Sequence, residues 1–481
     1  MKKEIVVYID DSSVYWVDID SRENIIKNFS SQNLLQSIRL ITFQPDLLVN
    51  YLGEKVSRYE ILDFECLDKQ IRQSIGLKGP QDQWNVPNML SAYLDVEEKT
   101  WDYEDRFDLL KLLAACYVKM KELGAGEWQR IEKIEIPVNK ILYKAQLNGL
   151  YFKNEKIEEK CSDLFRSIYN YKNQIQLDFG FVGDDIESYL HSRKICYHKP
   201  VDAEIKYLSR EHPELELFQK IAKCKRNLNS LIYLSSVRQD VAKCKPLFKG
   251  FGTSTGRVTL RDPAIQNTSK DLRFLLKDDN LSEDYRYVYV DYAQFEAGIL
   301  AGLTGNKIFQ NLYEKDSVYE ELQTMSGLPD RDTAKTAFYC FVYGGRIWKD
   351  TESFFSKYGL QEFLDARKAN AIGQGYVETK LGNRRVICSE ADSSWVINHE
   401  IQGTSSLIFK QALIDVQQSF GAKVALQIPM HDAALYIVHS SISTESIVDT
   451  FKGAFQQWIP KSNPIVKEKD FFDEHRNLQQ S

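Results

Sequence analysis

The chain opens with two apolar, β-favouring runs, KEIVVYID and SVYWVDID, around a polar turn at Asp11-Ser12-Ser13, which predicts a strand pair within residues 1–20. From Asn33 to about Leu123 helical periodicity alternates with short loops, the pattern of a small α/β unit. RIEKIEIPVNKILYKAQLNGLYF reads as an amphipathic helix broken at Asn148-Gly149 and followed by a short strand. Residues 154–245 are mostly helical, with apolar spacing as in ELFQKIAKCKRNLNSLIYL. Beyond residue 250 glycine-punctuated loops, strands and long helices take over. There VYVDYAQFEAGILAG begins as a buried strand, Val288-Tyr289-Val290, and ends on the bare carboxylate of Asp291, with Gln294 and Glu296 just after it. VALQIPMHDAALYIV is two apolar strand segments joined at His431-Asp432, a hairpin with an acid at its tip.

At 481 residues the chain has room for roughly three domains of about 150 residues. Its 43% hydrophobic and 27% charged shares are those of a globular protein with a sizeable core. The net charge of −6 argues against binding nucleic acid by overall charge, but leaves room for a local basic channel. Between Lys220 and Lys249 eight Lys or Arg stand against one acid, which suits either a solvated helix face or a phosphate-tracking surface. Eight scattered cysteines without CxxC or a Cys/His cluster, and a start unlike a signal sequence, predict a reduced cytoplasmic protein without structural zinc. No apolar run approaches the roughly 20 residues of a membrane helix.

Several segments carry chemistry. GFGTSTGRVTLRDPAIQNTSKDLRFLL is polar and basic, and its Thr255, Arg257, Gln266, Asn267 and Arg273 can donate to phosphates or base edges. RDTAKTAFYCFVYGG spaces Arg331, Lys335 and Tyr339 four apart, on one face of a helix, with Tyr343 just before Gly344-Gly345. Two cations and an aromatic ring in a row suit a triphosphate and a stacked base. Taken singly, a strand-end acid, a hairpin-tip acid and an R-x3-K helix face are each commonplace on protein surfaces. Their ordered conjunction resembles the family A, DNA polymerase I-like, DNA polymerases: DYAQFEAGILAGLTGN is similar to motif A, RDTAKTAFYCFVYGG to motif B and PMHDAALYIV to motif C. TGRVTLRDPAIQN, GYVETKLGNRR, NHEIQGTSSLIFKQALIDV and IEKIEIPVNKILYKAQLNGLYF extend the likeness over about residues 130–481.

The resemblance implies an α/β multidomain right-hand polymerase, with an antiparallel palm sheet and helical fingers and thumb, preceded by a small α/β exonuclease-like domain. It divides the chain into that domain (1–130), palm entry and thumb (131–250), palm with motif A (251–300), fingers (301–385) and palm with motif C (386–481). The implied reaction is template-directed addition of deoxynucleotides to a primer 3′ end by two-metal phosphoryl transfer, which neutralises charge on the phosphoryl oxygens. Asp291, Asp432 and the Tyr292 carbonyl would hold two magnesium ions, for which manganese can substitute; hard carboxylate oxygens suit both. Arg331 and Lys335 would grip the triphosphate, Lys335 also as general acid, with Tyr339 against sugar and base and Tyr343 near the templating position. Glu296 matches the steric gate against ribose, expected to pair with a tyrosine. Gln294, Arg257, Gln266, Asn267, Arg273, Asn398, Gln402 and His431 match nucleotide or primer-template contacts. The partners implied are primer-template DNA and deoxynucleoside triphosphates, acting on a monomer.

Departures from the pattern are informative. Ala433 replaces the motif C glutamate, Ala297-Gly298 replaces a bulkier pair after Glu296, and Pro429 takes a usually polar position. In the exonuclease-like region Asp10-Asp11-Ser12-Ser13 lacks the glutamate two residues on, Asp46 could stand for the middle acid, and Tyr103 plus four is Phe107 rather than aspartate. A remnant without proofreading is expected; a rearranged nuclease using Asp10, Asp46 and Asp105 or Asp108 is the alternative, and no length is left for a 5′ nuclease. Other readings of the whole are a lesion-bypass or repair polymerase of the same family and a catalytically silent nucleic-acid-binding protein. Whether such a short form comes from a phage, a plasmid or a bacterium is left open.

Overall fold

The computed structural model describes residues 2–10, 13–20, 38–78, 84–94, 106–197, 205, 208–209, 211–236, 243–344, 349–389 and 394–472. Asp11, Ser12, Asn33, Tyr103, Asp105 and Gly345, named above, lie outside these. The chain forms two compact units: residues 1–148, 247–261 and 282–469 make the first, and residues 149–246, 262–281 and 470–481 the second.

The first unit begins with the strand pair the apolar runs predict, Lys3–Asp10 and Ser13–Asp18, joined antiparallel with Val6 opposite Val17. Two further strands, Ile38–Thr42 and Glu60–Asp63, add in parallel to the other side of Lys3–Asp10. Val6 packs into one core with Leu67, Ile71, Leu109 and Leu113. Ile5, Val7 and Ile9, which alternate to the opposite face, pack into another with Leu48, Val49 and Tyr143. Both faces are therefore covered, as parallel pairing demands.

Buried charges stitch this layer to the rest of the unit. Lys249 donates to Asp63 at 2.7 Å and lies 3.0 Å from Glu65. It is buried, so it does not belong to the basic face that the Lys220–Lys249 run suggests. Arg130 bonds Glu127 at 2.7 Å, Glu135 at 2.5 Å and Gln70 at 2.9 Å, and Glu135 in turn accepts from Lys410 at 2.7 Å. Glu127 also accepts the backbone N–H groups of Asn383 at 2.7 Å and Arg384 at 3.0 Å.

A second sheet of four antiparallel strands runs in the order Val424–Pro429, Ala433–His439, Tyr285–Tyr292, Val466–Lys469. The 25-residue helix Val396–Phe420 supports this region with a mostly buried surface. Helices Phe295–Thr304, Lys307–Glu314, Val318–Ser326 and Arg331–Val342 share an aromatic-rich core around Phe309, Tyr313, Tyr319 and Phe338. The Ala297-Gly298 departure has a packing reason: a Cβ at Gly298 would stand 2.3 Å from the Tyr313 ring.

The second unit is built on the long helices Asn154–Phe179 and Leu215–Ser236, whose apolar faces meet through Ile157, Leu164, Phe218, Ile221 and Leu231. Lys223 pairs with Asp271 at 2.5 Å and Lys225 with Asp184 at 2.8 Å, so part of the local cationic excess is neutralised within the unit. Among the described residues, no helix is long and apolar enough to cross a membrane.

Candidate active site

Two far-separated aspartates meet in the first unit. Asp291 is the penultimate residue of the central strand Tyr285–Tyr292, and Asp432 sits in the turn joining Val424–Pro429 to Ala433–His439. The turn is tight, its Met430 N–H donating to the Ala433 carbonyl at 2.7 Å. Antiparallel register places Ala433 directly opposite Asp291, and the Tyr292 N–H donates to the Asp432 carbonyl at 3.2 Å. Tyr292 is fixed from behind: its hydroxyl donates to the Phe451 carbonyl at 2.6 Å and its ring stacks on Phe295 at 4.2 Å.

The charge balance is unusual. Burial, then the Asp291 and Glu296 carboxylates, push the Asp432 carboxyl up to about 7, against the pull of Arg257 and Lys335. Like charges held this close favour a proton or a cation between them. Asp291 itself is ion-paired with Lys469 from the edge strand. Glu296 accepts from Arg257 at 2.7 Å, and the same carboxylate acts on the Tyr343 hydroxyl. The Tyr343 hydroxyl stays close by, held far up by burial and then by the Glu296 charge. Arg257 is set by its loop, in which the Gly252 N–H donates to the Arg257 carbonyl at 2.9 Å and Gly256 adopts φ +80°.

The helix Arg331–Val342 carries the row read from sequence. Asp330 caps its N-terminus, accepting from the Thr333 N–H at 2.7 Å. Arg331 pairs with Glu320 and lies 3.8 Å from Asp316, over the Tyr319 ring at 5.1 Å. Lys335 is exposed, its ammonium 6.0 Å from the Tyr339 ring centre. Tyr339 stacks with Tyr343 at 5.8 Å, and its hydroxyl accepts from Tyr319 at 3.3 Å. Gln294 adopts φ +50°, a left-handed conformation uncommon for a side chain of its kind; its amide donates to Asp316 while its Oε1 is buried with no partner.

Asn398 and Gln402 stand one turn apart on the long helix. Asn398 Oδ1 is buried without a partner, and the Gln402 side chain acts on the Tyr343 hydroxyl. His431 is held below its ordinary value by surrounding protein and then by the Arg257 charge. Gln266, Asn267 and Arg273 belong to the second unit, in the turns Ile265–Asn267 and Lys270–Leu276, where Arg273 lies over Phe471 at 4.6 Å. Lys469, Asp316 and Tyr319 are neighbours of the site that sequence reasoning missed.

The donor set fits magnesium. Among the described residues no three His, Cys, Asp or Glu side chains converge on a ready-made cage. A pair of aspartates suffices for an ion that keeps waters and takes further oxygens from a substrate.

The amino-terminal region is arranged differently. Asp10 is ion-paired with Arg106, whose guanidinium also donates to the Tyr15 hydroxyl at 2.8 Å. Asp46 lies in the first turn of the helix Pro45–Leu52, and Asp108 pairs with Lys111 at 3.1 Å.

Known proteins share both sequence and fold with this chain. The chain is 27% identical over 240 residues to DNA polymerase theta of Caenorhabditis elegans, covering 42% of this chain and 14% of that one. It is 22% identical over 378 residues to DNA polymerase I of Treponema pallidum, covering 66% of this chain and 37% of that one. It therefore spans well under half the length of either relative. The POL domain of Pol1 from M. smegmatis, in complex with DNA primer-template and dNTP, shares the fold with a TM-score of 0.79 at 17% identity, over 97% of this chain and 94% of that one. The model of DNA polymerase family A matches residues 201–457, more than half of the sequence, and the chain belongs to that family.

Proposed function

We propose that the protein is a template-directed DNA polymerase that extends a primer 3′ end with deoxynucleoside triphosphates. The observation that carries this is the meeting of Asp291 and Asp432, with Ala433 directly opposite Asp291 in the sheet, where burial and then the neighbouring carboxylates raise the Asp432 carboxyl. Magnesium bound by Asp291, Asp432 and the Tyr292 carbonyl would activate the primer hydroxyl and neutralise the leaving pyrophosphate. The protein's own groups position the rest. Arg331 and Lys335 bind the triphosphate, exchanging internal partners such as Glu320 for phosphate oxygens, and Lys335 can deliver a proton to the departing pyrophosphate. Tyr339 and Tyr343 offer stacked ring faces to sugar and base, and Glu296 fills the space a ribose 2′-hydroxyl would need. Arg257, Asn398, Gln402 and His431 contact primer and template. Primer extension by the wild type and by Asp432→Asn tests this; an undiminished variant would refute it.

The same reading holds that the chain does not proofread. The supporting observation is Asp10, whose charge is already met by Arg106. End-labelled single strands incubated with magnesium should keep their length.

A further inference from the structure

Two lysines of the edge strand Val466–Lys469 share a face with Asp291. In the sheet register Lys467 stands directly across from Asp291 and Lys469 across from Tyr289, and alternation along a strand turns both lysines the same way. Lys467 pairs with Asp316 at 2.5 Å. Lys469 reaches diagonally to the Asp291 carboxylate, a neighbour within range of a long side chain. On the other flank of Asp291 stands Ala433, where the motif this chain resembles has a glutamate. The row across the sheet thus sets lysines on one side of Asp291 and an alanine on the other.

The backbone that aims Lys469 is well anchored. The Ala293 N–H donates to the Ile465 carbonyl at 2.8 Å, and the Ile465 N–H donates to the Tyr313 hydroxyl at 3.2 Å, in the space that Gly298 leaves open. The side chain itself is 47% exposed on a flexible stem, so its ammonium can leave without unfolding anything. Around the aspartates the charges balance: Asp291, Asp432 and Glu296 face Lys469, Lys335 and Arg257. Without Lys469 one negative charge would be uncompensated.

We propose that Lys469 is the resident counter-ion of Asp291, and that a divalent cation entering the Asp291–Asp432 pair must displace its ammonium. Lys469 thereby weakens binding of the first ion. The proposal rests on reading the aspartate pair as a cation site. It is tested by titrating manganese into the full-length protein without DNA or nucleotide, following the free ion by electron paramagnetic resonance. Lys469→Met should bind manganese about fivefold more tightly, the scale of one exposed ion pair. Lys469→Arg should match the wild type, and Lys467→Met, whose partner is Asp316, should leave affinity unchanged. Equal or weaker affinity in Lys469→Met overturns the proposal. Asp291→Asn and Asp432→Asn serve as controls: if they bind less manganese while Lys469→Met gains nothing, only the role of Lys469 fails. If neither aspartate variant loses affinity, the cation-site reading falls as well.

Discussion

Asp10 and Asp291 occupy the same kind of position, at the carboxyl end of a strand and beside a cationic side chain, yet their surroundings differ. Asp10 and Arg106 form a closed account of one charge against one, tied to a tyrosine hydroxyl. Asp291 has a counter-ion too, but a second aspartate and a glutamate crowd in beside it, and Asp432 is left with its carboxyl near 7. A strand-end carboxylate is therefore no sign of chemistry in itself. Carboxylates crowded together where burial withholds water favour a metal ion even with cations near them, and the helix row of Arg331, Lys335 and Tyr339 belongs to the same unit.

The contrast can be broken most directly by activity. Asp432→Asn should lower primer extension by more than about 100-fold, above the usual cost of losing an outer partner of a metal, whereas Asp10→Asn should leave extension unchanged. Comparable losses in both would erase the distinction. Next in size, Arg331→Ala should cut kcat/KM for the incoming nucleotide by about 10- to 100-fold, the worth of a charged hydrogen bond, mainly through KM. Steady-state kinetics with varied nucleotide reads this. Tyr339→Phe removes a hydroxyl held by Tyr319 and should sharpen discrimination against dideoxynucleotides by up to about tenfold; equal selectivity in both proteins would remove Tyr339 from the sugar site.

Stability separates the two aspartates with the opposite sign. The Asp432 value of about 7 in the fold lies above the ordinary value near 4, so its contribution to stability is full below about pH 4 and lost as pH rises through 7. In chelator at pH 8, Asp432→Asn should therefore be more stable than the wild type by about 1–2 kcal/mol, as relief of functional strain often is. Asp10→Asn should fall within about 0.5 kcal/mol, the range of surface substitutions. Denaturant titrations of the three proteins measure both, and a destabilised Asp432→Asn would show that the crowding is already compensated.

The parts legible in sequence were those with local signatures. The strand before Asp291, the hairpin at Asp432 and the four-residue spacing of Arg331, Lys335 and Tyr339 each follow from a short periodic pattern, and the structure brings these residues into one unit. What stayed hidden depends on register or on distant pairing. Ile38–Thr42 and Glu60–Asp63 are short strands within a region read as helices and loops, and Ile38–Thr42 is buried throughout, which removes the alternation that marks a strand. Lys249 reads as part of a basic run until the chain returns to the first unit and buries it against Asp63. The Glu296 ion pair and the diagonal reach of Lys469 could be found only once loop and edge strand had their places.

The charges buried beneath the amino-terminal layer bear on how far this chain can be shortened. Lys249 and Lys410 are almost wholly enclosed, and their counter-charges, Asp63, Glu65 and Glu135, are supplied by the first 148 residues. Trimming the chain down to its reaction centre would remove these partners and open the interior they line to water, a loss set against a total stability of only about 5–15 kcal/mol. Such a fragment should collapse rather than work, so the layer is a keystone that persists whether or not it ever cuts DNA.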